Sequence, residues 1–345
     1  MRFIVKYLLP LVFIILAVFA YFFYKDYNKF KLQTVPQDVA SFEIKKGSNI
    51  RTVARNLRNR NIIQSANLFT LLAKLNKQDT NIKAGEYVIK AGLTPGQLLD
   101  KFTKGASKHY QTQILEGKQF KDIIKTIRAD KNLKQTLSDH DYKNIMKKLD
   151  SDYSDYQPEG LFYPDTYNYP RGTTDLQFLQ RSHDTMVKFI KEKWQNRKVF
   201  KGINTPYDAL ILASIVEKET GHPEDRNKIA RVFLNRLQKG MMLQTDPTVI
   251  YGMGDTYQGN IRKKDLKTDT PYNTYTRKGL PPTPIATPSK ASIEAVFNPA
   301  EGDMLYFVAK GNDGTSHFSK TYAEHKRAVV KYLLNGNKKR YQGDK

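Results

Sequence analysis

The sequence predicts an α+β chain: an N-terminal transmembrane helix, a βααβ module and a larger mixed α+β domain. Three observations point there. The run Tyr7–Tyr24 carries no charge, and residues 41–89 pass from strand-like alternation to helical apolar spacing and back. From Pro158 onward, loops rich in aromatics and proline separate strongly apolar helices. A chain of 345 residues has room for an anchor and two or three domains with real cores.

The elements follow in order. Tyr7–Tyr24 is 18 residues, about 27 Å as a helix, close to the ~30 Å hydrocarbon core of a bilayer. Pro10 lies near enough to the helix start to be tolerated. Arg2, Lys6 and the N-terminal amine favour a cytoplasmic N-terminus, although Lys25 and Lys29 weaken the asymmetry. Val18-Phe19-Ala20 is compatible with a signal-peptidase site, yet the apolar run continues through Phe23, so an uncleaved signal anchor is expected. That divides the chain into a cytoplasmic tail (1–6), the anchor (7–24) and a polar stem (25–40), with all that follows Lys25 outside the cytoplasm.

Ser41–Ile44 alternates as a strand, and Ile50, Val53, Ala54 and Leu57 define one face of a helix. Ser65 caps a second helix over Ala66–Leu75, and Glu86–Ile89 returns as a strand after Gly85. This layout, within residues 41–105, resembles a LysM carbohydrate-binding module, which implies affinity for N-acetylglucosamine-containing polymers. Residues 44–57 have an echo at a constant offset of 70: Ile44, Gly47, Ile50, Val53, Ala54 and Leu57 align with Ile114, Gly117, Phe120, Ile123, Ile124 and Ile127. Any strand-turn-helix gives a similar pattern, so the echo alone does not establish a duplication. Residues 106–155 read as this second strand-helix followed by a solvated, Lys- and Asp-rich helical hairpin or linker from 130. The mixed α+β domain then occupies 156–335, including a capped helix over Ser289–Val296, a strand over Leu305–Ala309 and a final helix over Thr321–Leu334, before a basic tail at 336–345.

Charge and composition narrow the chemistry. Fifty-seven Lys and Arg against 34 Asp and Glu call for an anionic partner: nucleic acid, phospholipid headgroups or an acidic cell-wall polymer. An anchor that displays the chain outside the plasma membrane argues against nucleic acid. The absence of cysteine excludes disulfides, thiolate catalysis and Cys-ligated metals. Six histidines without an i,i+4 pair or an HExxH motif argue against a zinc hydrolase, so no metal or other cofactor is expected.

One helix stands out. Thr205, Pro206 and Asp208 form a helix start, Gly221 reads as its stop, and Ala209–Val216 is apolar on nearly every side. Glu217 and Glu219 fall in its last turn, where a carboxylate is costly unless paired or protonated. An ordinary Glu with pKa about 4.3 is protonated in roughly 1 molecule in 500 at pH 7, one raised to about 6 in roughly 1 in 10. That shift costs about 2.3 kcal/mol and supplies a general acid. Helix geometry does not choose between the two, since Glu217 stacks over Leu210, Ala213 and Ser214, and Glu219 over Leu212, Ile215 and Val216.

Six segments taken together go further: EGLFYPDTY (159–167), ASIVEKET (213–220), LQTDPTVIYG (243–252), PYNTY (271–275), GLPPTPIA (279–286) and YFVAKGNDGTSHFSKTYAEH (306–325). In this order and spacing the chain resembles the endolytic murein transglycosylases, the YceG-like or MltG family. The resemblance implies a single-pass bacterial inner-membrane protein with its catalytic domain in the periplasm or its extracytoplasmic equivalent. It implies cleavage of peptidoglycan glycan strands between N-acetylmuramic acid and N-acetylglucosamine, leaving a 1,6-anhydro-muramyl end and limiting strand length. It implies penicillin-binding synthases as partners, and it places the catalytic acid on the first Glu of the E-K-E motif, Glu217.

The remaining candidates are substrate-binding. Gln244, Thr245 and Asp246 precede a proline, where side chains can reach sugar hydroxyls or orient the acid; Asp246 is equally an Asp-Pro turn residue. Asn273 and Tyr275 suit sugar binding or a loop cap, and Glu159 and Asp165 either bind substrate or tie a loop to an arginine. Ser214 either bonds Glu217 or returns its proton to the carbonyl four residues back. Glu219 is the neighbouring carboxylate, and His317 and His325 are structural or contact the peptide. Where Thr287 stands, the family more often has Asn, a departure confined to a local loop contact. The alternative reading is a non-catalytic LysM-type peptidoglycan-binding scaffold, followed by a hydrolytic muramidase.

Overall fold

In the computed structural model, α1 runs over Arg2–Leu32 with Pro10 inside it. The structure describes residues 2–311 and 314–337, with side chains from Pro10 onward, so Met1 and most of the expected basic tail (338–345) lie outside the described residues. The stretch Pro10–Leu32 has a mean hydropathy of 1.5 and none of its apolar window is buried, a helix long and apolar enough to cross a membrane. The helix outlasts the uncharged run. Residues 25–32, the first part of the expected polar stem, continue α1, and Phe30 and Val35 are buried.

The chain forms two units: residues up to Tyr110 with Asn168–Gly172, and Gln111–Tyr167 with Thr173 onward. In the first, β1 (Val39–Ile44) leads into α2 (Ile50–Asn59) and α3 (Ala66–Leu75), and β2 (Gly85–Ile89) returns antiparallel to β1 with Phe42 opposite Tyr87. Asn49 and Ser65 cap the two helices through their side chains, as short polar residues do where the first N–H groups lack partners. α4 (Pro95–Lys104) starts with a Thr94–Gln97 capping box and lays Leu98, Leu99 and Phe102 into the core, where Phe102 stacks on Phe42 at 5.8 Å.

β3 (His109–Gln113) and β4 (Thr166–Pro170) form a two-stranded sheet, and the division between the units falls within both strands. Between them lie α5 (Phe120–Ala129), α6 (Asp139–Lys143) and α7 (Ile145–Leu149). The solvated helical hairpin or linker expected at 130–155 is helical at α6 and α7 but packed: Leu133, Tyr142, Ile145, Met146 and Leu149 are buried. Its anchor is Asp175, fully buried, which accepts the backbone N–H groups of Thr136 and Leu137 and the Tyr142 hydroxyl. Burial pushes the Asp175 carboxyl up, but the Thr136 hydroxyl, followed by the N–H groups of Leu137, Thr136 and Leu176, outweighs it and holds the group below its ordinary value.

The rest of the second unit is mainly helical. α8 (Asp175–Gln195), α9 (Pro206–Glu219), α10 (Pro223–Gln238), α11 (Asp246–Met253) and α12 (Lys263–Lys267) are followed by α13 (Lys290–Phe297). β5 (Tyr306–Ala309) and β6 (Ser316–Ser319) pair antiparallel under α14 (Tyr322–Tyr332). α9 is the central element, packed on α8, α10, α11 and α13, with every residue from Ala209 to Val216 buried. It ends at Glu219 with Thr220 as its C-cap, and Gly221, the expected stop, separates that cap from His222, the N-cap of α10.

Candidate active site

Glu217 leaves the buried part of α9 half-exposed. Its Oε2 accepts the Ser289 N–H at 3.0 Å and the Ser292 hydroxyl at 2.7 Å. Ser289 is the N-cap of α13, so the carboxylate lies at the positive end of a helix, where peptide dipoles favour an anion. Oε1 faces a turn after β3: a Cβ on Gly117 would lie 3.9 Å from both Cγ and Oε1 of Glu217. Gly117 has φ +68°, in the left-handed region that favours glycine. The turn is pinned on both sides. Gly117 N–H donates to Thr287 O at 2.8 Å, Thr287 N–H to Lys118 O at 2.7 Å, and Lys218 Nζ reaches Gly117 O at 3.3 Å. A second acid shares this field. Burial first, and the Glu217 charge second, push the Glu116 carboxyl above its ordinary value, while Arg226 pulls it down.

Two residues further along α9, Glu219 turns to a different set of partners. Its Oε1 accepts the Thr245 hydroxyl. Burial raises its carboxyl above the ordinary range, Asp246 adds to that, and Thr245 and the buried Arg236 oppose it. Thr245 is itself buried and held by the Thr274 hydroxyl on its N–H at 3.1 Å, while exposed Asp246 accepts the Tyr275 hydroxyl at 2.5 Å. Exposed Gln244 adopts φ +47° and ties its N–H to Thr274 O at 3.1 Å.

The other candidates fall into internal roles or at a distance from this pair. Ser214 is fully buried, donates to Ile211 O at 2.7 Å and accepts the Ile285 N–H at 2.9 Å, so its bond runs three residues back rather than to Glu217. Asn273 is a buried loop cap: its amide donates to Leu266 O and Thr268 O, and its Oδ1 accepts the Tyr275 N–H. Glu159 is buried, accepting Phe120 N–H at 2.9 Å and the Tyr251 hydroxyl at 3.1 Å, not an arginine. Burial drives its carboxyl up to about 7 against those two bonds. Asp165 is exposed and caps its own turn at Thr166 N–H. His317 packs on Tyr332 at 5.4 Å and His325 stacks on Tyr306 at 5.2 Å; burial, followed by Arg236 and His317, lowers the His325 imidazole below its ordinary value.

The sequence segments nonetheless meet. Ser214 binds Ile285, Glu219 binds Thr245, Glu159 binds Tyr251, and Tyr272 and Thr283 share a hydroxyl bond at 3.0 Å. Gly160, at φ +74°, lies so close to the 284 loop that a Cβ would be 2.5 Å from Pro284 Cβ; no other residue fits without moving backbone. The sequence reading missed Ser289, Ser292, Gly117 and Arg236. The Ser289/Ser292 spacing was visible, but as a helix cap.

Comparison with known proteins places this architecture in a class. The YceG-like family model matches residues 42–331, and the chain belongs to that family. An endolytic murein transglycosylase of Bacillus subtilis is 33% identical over 91% of each chain. One from Streptococcus pneumoniae is 28% identical over 84% of this chain, which spans 58% of that longer relative. A crystal structure of a yceG-like protein from Listeria monocytogenes superposes with a TM-score of 0.53 at 30% identity, covering 85% of this chain and 99% of that one.

Proposed function

We propose that this chain is a membrane-anchored endolytic lytic transglycosylase of peptidoglycan, with Glu217 as its catalytic acid and base. The activity is that named for its relatives in Bacillus subtilis and Streptococcus pneumoniae. What supports the residue assignment is the setting of Glu217: a half-buried carboxylate at the end of a buried helix, with two donors on Oε2 and Oε1 turned to a glycine. The donors fix the rotamer and leave one oxygen for proton transfer.

A lone carboxylate suffices for this chemistry. Glycosidases ordinarily use two, one as acid and one as nucleophile or activator of water. A lytic transglycosylase uses the C6 hydroxyl of the muramic acid itself as nucleophile. Glu217 protonates the departing glycosidic oxygen as the C1–O bond breaks, then as carboxylate removes the C6 hydroxyl proton while that oxygen bonds to C1. Holding C6–OH near C1 makes the attack intramolecular, with a large effective molarity. Glu219, Thr245, Asp246 and Tyr275, joined by hydrogen bonds, form the wall against which substrate is oriented, with Gln244 exposed beside them.

The first unit, with the strand-helix-helix-strand order of a LysM module, binds the same polymer, and α1 holds the chain in the plasma membrane with the N-terminus cytoplasmic. Penicillin-binding synthases are the proposed partners. Replacing Glu217 by Gln keeps both Oε2 contacts but cannot shuttle the proton. Digestion of purified glycan strands then loses 1,6-anhydro ends by at least about a thousandfold, read by mass spectrometry. Undiminished product removes Glu217 from the role. Reducing ends in place of anhydro ends mark a muramidase, and sacculus binding without new ends marks a scaffold.

A further inference from the structure

The first unit follows the apolar helix without a flexible joint. Side chains from Pro10 to Asp26 are exposed, Tyr27 packs against the unit's core, and Phe30 is 1% exposed inside it. At 1.5 Å per residue, Phe30 lies about 9 Å beyond Tyr24 along the axis, comparable with the roughly 5–8 Å depth of one headgroup layer. With Tyr7–Tyr24 in lipid, the unit is therefore held at the bilayer surface.

The C-terminal end of α2 lies beside the end of α1. Gln33, the residue after α1, donates Nε2 to Gln64 Oε1 at 2.6 Å, and Arg58 Nε donates to Gln64 O at 3.2 Å. Gln33, Val35 and Pro36 line one cavity together with residues 61–64. α2 itself contains no acidic residue and presents Arg51, Arg55 and Arg58 at i, i+4 and i+7, all exposed, beside a buried face of Ile50, Val53, Ala54 and Leu57. Among the described residues no carboxylate pairs with any of the three. Lys45 and Lys46 are exposed in the preceding turn, and residues 25–110 hold sixteen Lys and Arg against six Asp and Glu.

We propose that the arginine stripe of α2 docks on anionic phospholipid headgroups, laying the first unit on the bilayer. The inference rests on the reading of α1 as a membrane anchor. Carboxylates of the wall polymer are the competing anion, but the end of the stripe lies beside Gln33, only about 13 Å along the chain axis beyond Tyr24, which keeps the tethered stripe near headgroups at all times. A basic residue near an anionic surface contributes about 1 kcal/mol, or about fivefold, so three shift the balance between a surface-held and a lifted unit on the order of a hundredfold.

The chain has no cysteine, so Asn59→Cys, exposed at the end of α2, gives a single site for a nitroxide label. The full chain is placed in nanodiscs of phosphatidylcholine, alone or with about 30 mol% phosphatidylglycerol, and collisions of the label with a water-soluble nickel chelate are measured. Docking lowers that accessibility at least about fivefold in the anionic discs only, and the protection disappears at about 1 M salt and in the R51Q/R55Q/R58Q chain. Equal accessibility in both discs overturns the proposal. So does protection that survives the triple substitution, or protection that arises only when soluble anionic wall fragments are added. Extraction of the chain from vesicles by alkaline carbonate tests the anchor separately: a released chain defeats both readings, a retained but unprotected one defeats docking alone.

Discussion

The strand-turn-helix at 44–57 and its echo at 114–127 are built alike and used differently. α2 and α5 are both ten residues long and start 70 positions apart, at Ile50 and Phe120. The preceding glycines both have positive φ, +84° at Gly47 and +68° at Gly117. The likeness extends further: Gly92, Thr94 and Gln97 before and within α4 match Gly172, Thr174 and Gln177 at α8, with a capping box in each. Yet a Cβ on Gly47 would meet nothing within 4 Å, whereas one on Gly117 would touch Glu217. The same local device is solvated in one unit and packs against the Glu217 carboxylate in the other. Local sequence sets the turn; what packs on it sets its use.

Substitutions at matched positions break or sharpen this comparison. The largest difference is expected at Asp175, whose counterpart by the 80-residue offset is Pro95. Asp175→Ala strands several buried donors and lowers unfolding free energy by about 4 kcal/mol, against under about 1 for Pro95→Ala, measured by denaturant melts. Equal losses would mean that the two helix starts are equivalent after all. Next come the turns. Gly117→Val and Gly47→Val both strain the backbone, but only the former displaces Glu217, so turnover on glycan strands falls about a hundredfold for Gly117→Val and stays unchanged for Gly47→Val.

The third contrast is in pH. Glu159, beside the N-terminus of α5, titrates near 7 in the folded chain instead of near its ordinary 4.5. A raised acid binds more protons folded than unfolded, so stability is fullest below about pH 4.5 and falls as pH rises toward 7. The loss between about pH 5 and 7 is about 2 kcal/mol, and Glu159→Gln abolishes it. A melting profile of that variant with the same pH slope would assign the titration elsewhere. Smallest are the two caps: Thr94→Ala and Thr174→Ala each cost about 1 kcal/mol.

Much of the first unit was legible because its signals are local. Ser65 caps α3 where the sequence placed a cap, and Asn49, not singled out there, caps α2 in the same way. The helix carrying Glu217 was legible for the same reason, through Thr205, Pro206 and Asp208. The packing of residues 130–155 was not, because it depends on Asp175 of a later helix receiving Thr136 and Leu137. The long α8 was also hidden, since its buried face includes Ser182 and His183 among Phe178, Leu179, Met186 and Ile190 and so lacks a clean apolar stripe. At the site, Ser289 and Ser292 look like an ordinary helix start, and their contact with Glu217 spans more than seventy residues of chain. No local rule reads such a pairing.

The unbroken run of α1 into the core at Phe30 has a mechanical consequence. With α1 as the proposed anchor, a rotation about its own axis, or a lean to match a thinner bilayer, turns the first unit by the same angle, as a key turns with its shaft. Insertion of a few glycines after Asp26 would uncouple the two motions while leaving every other residue in place.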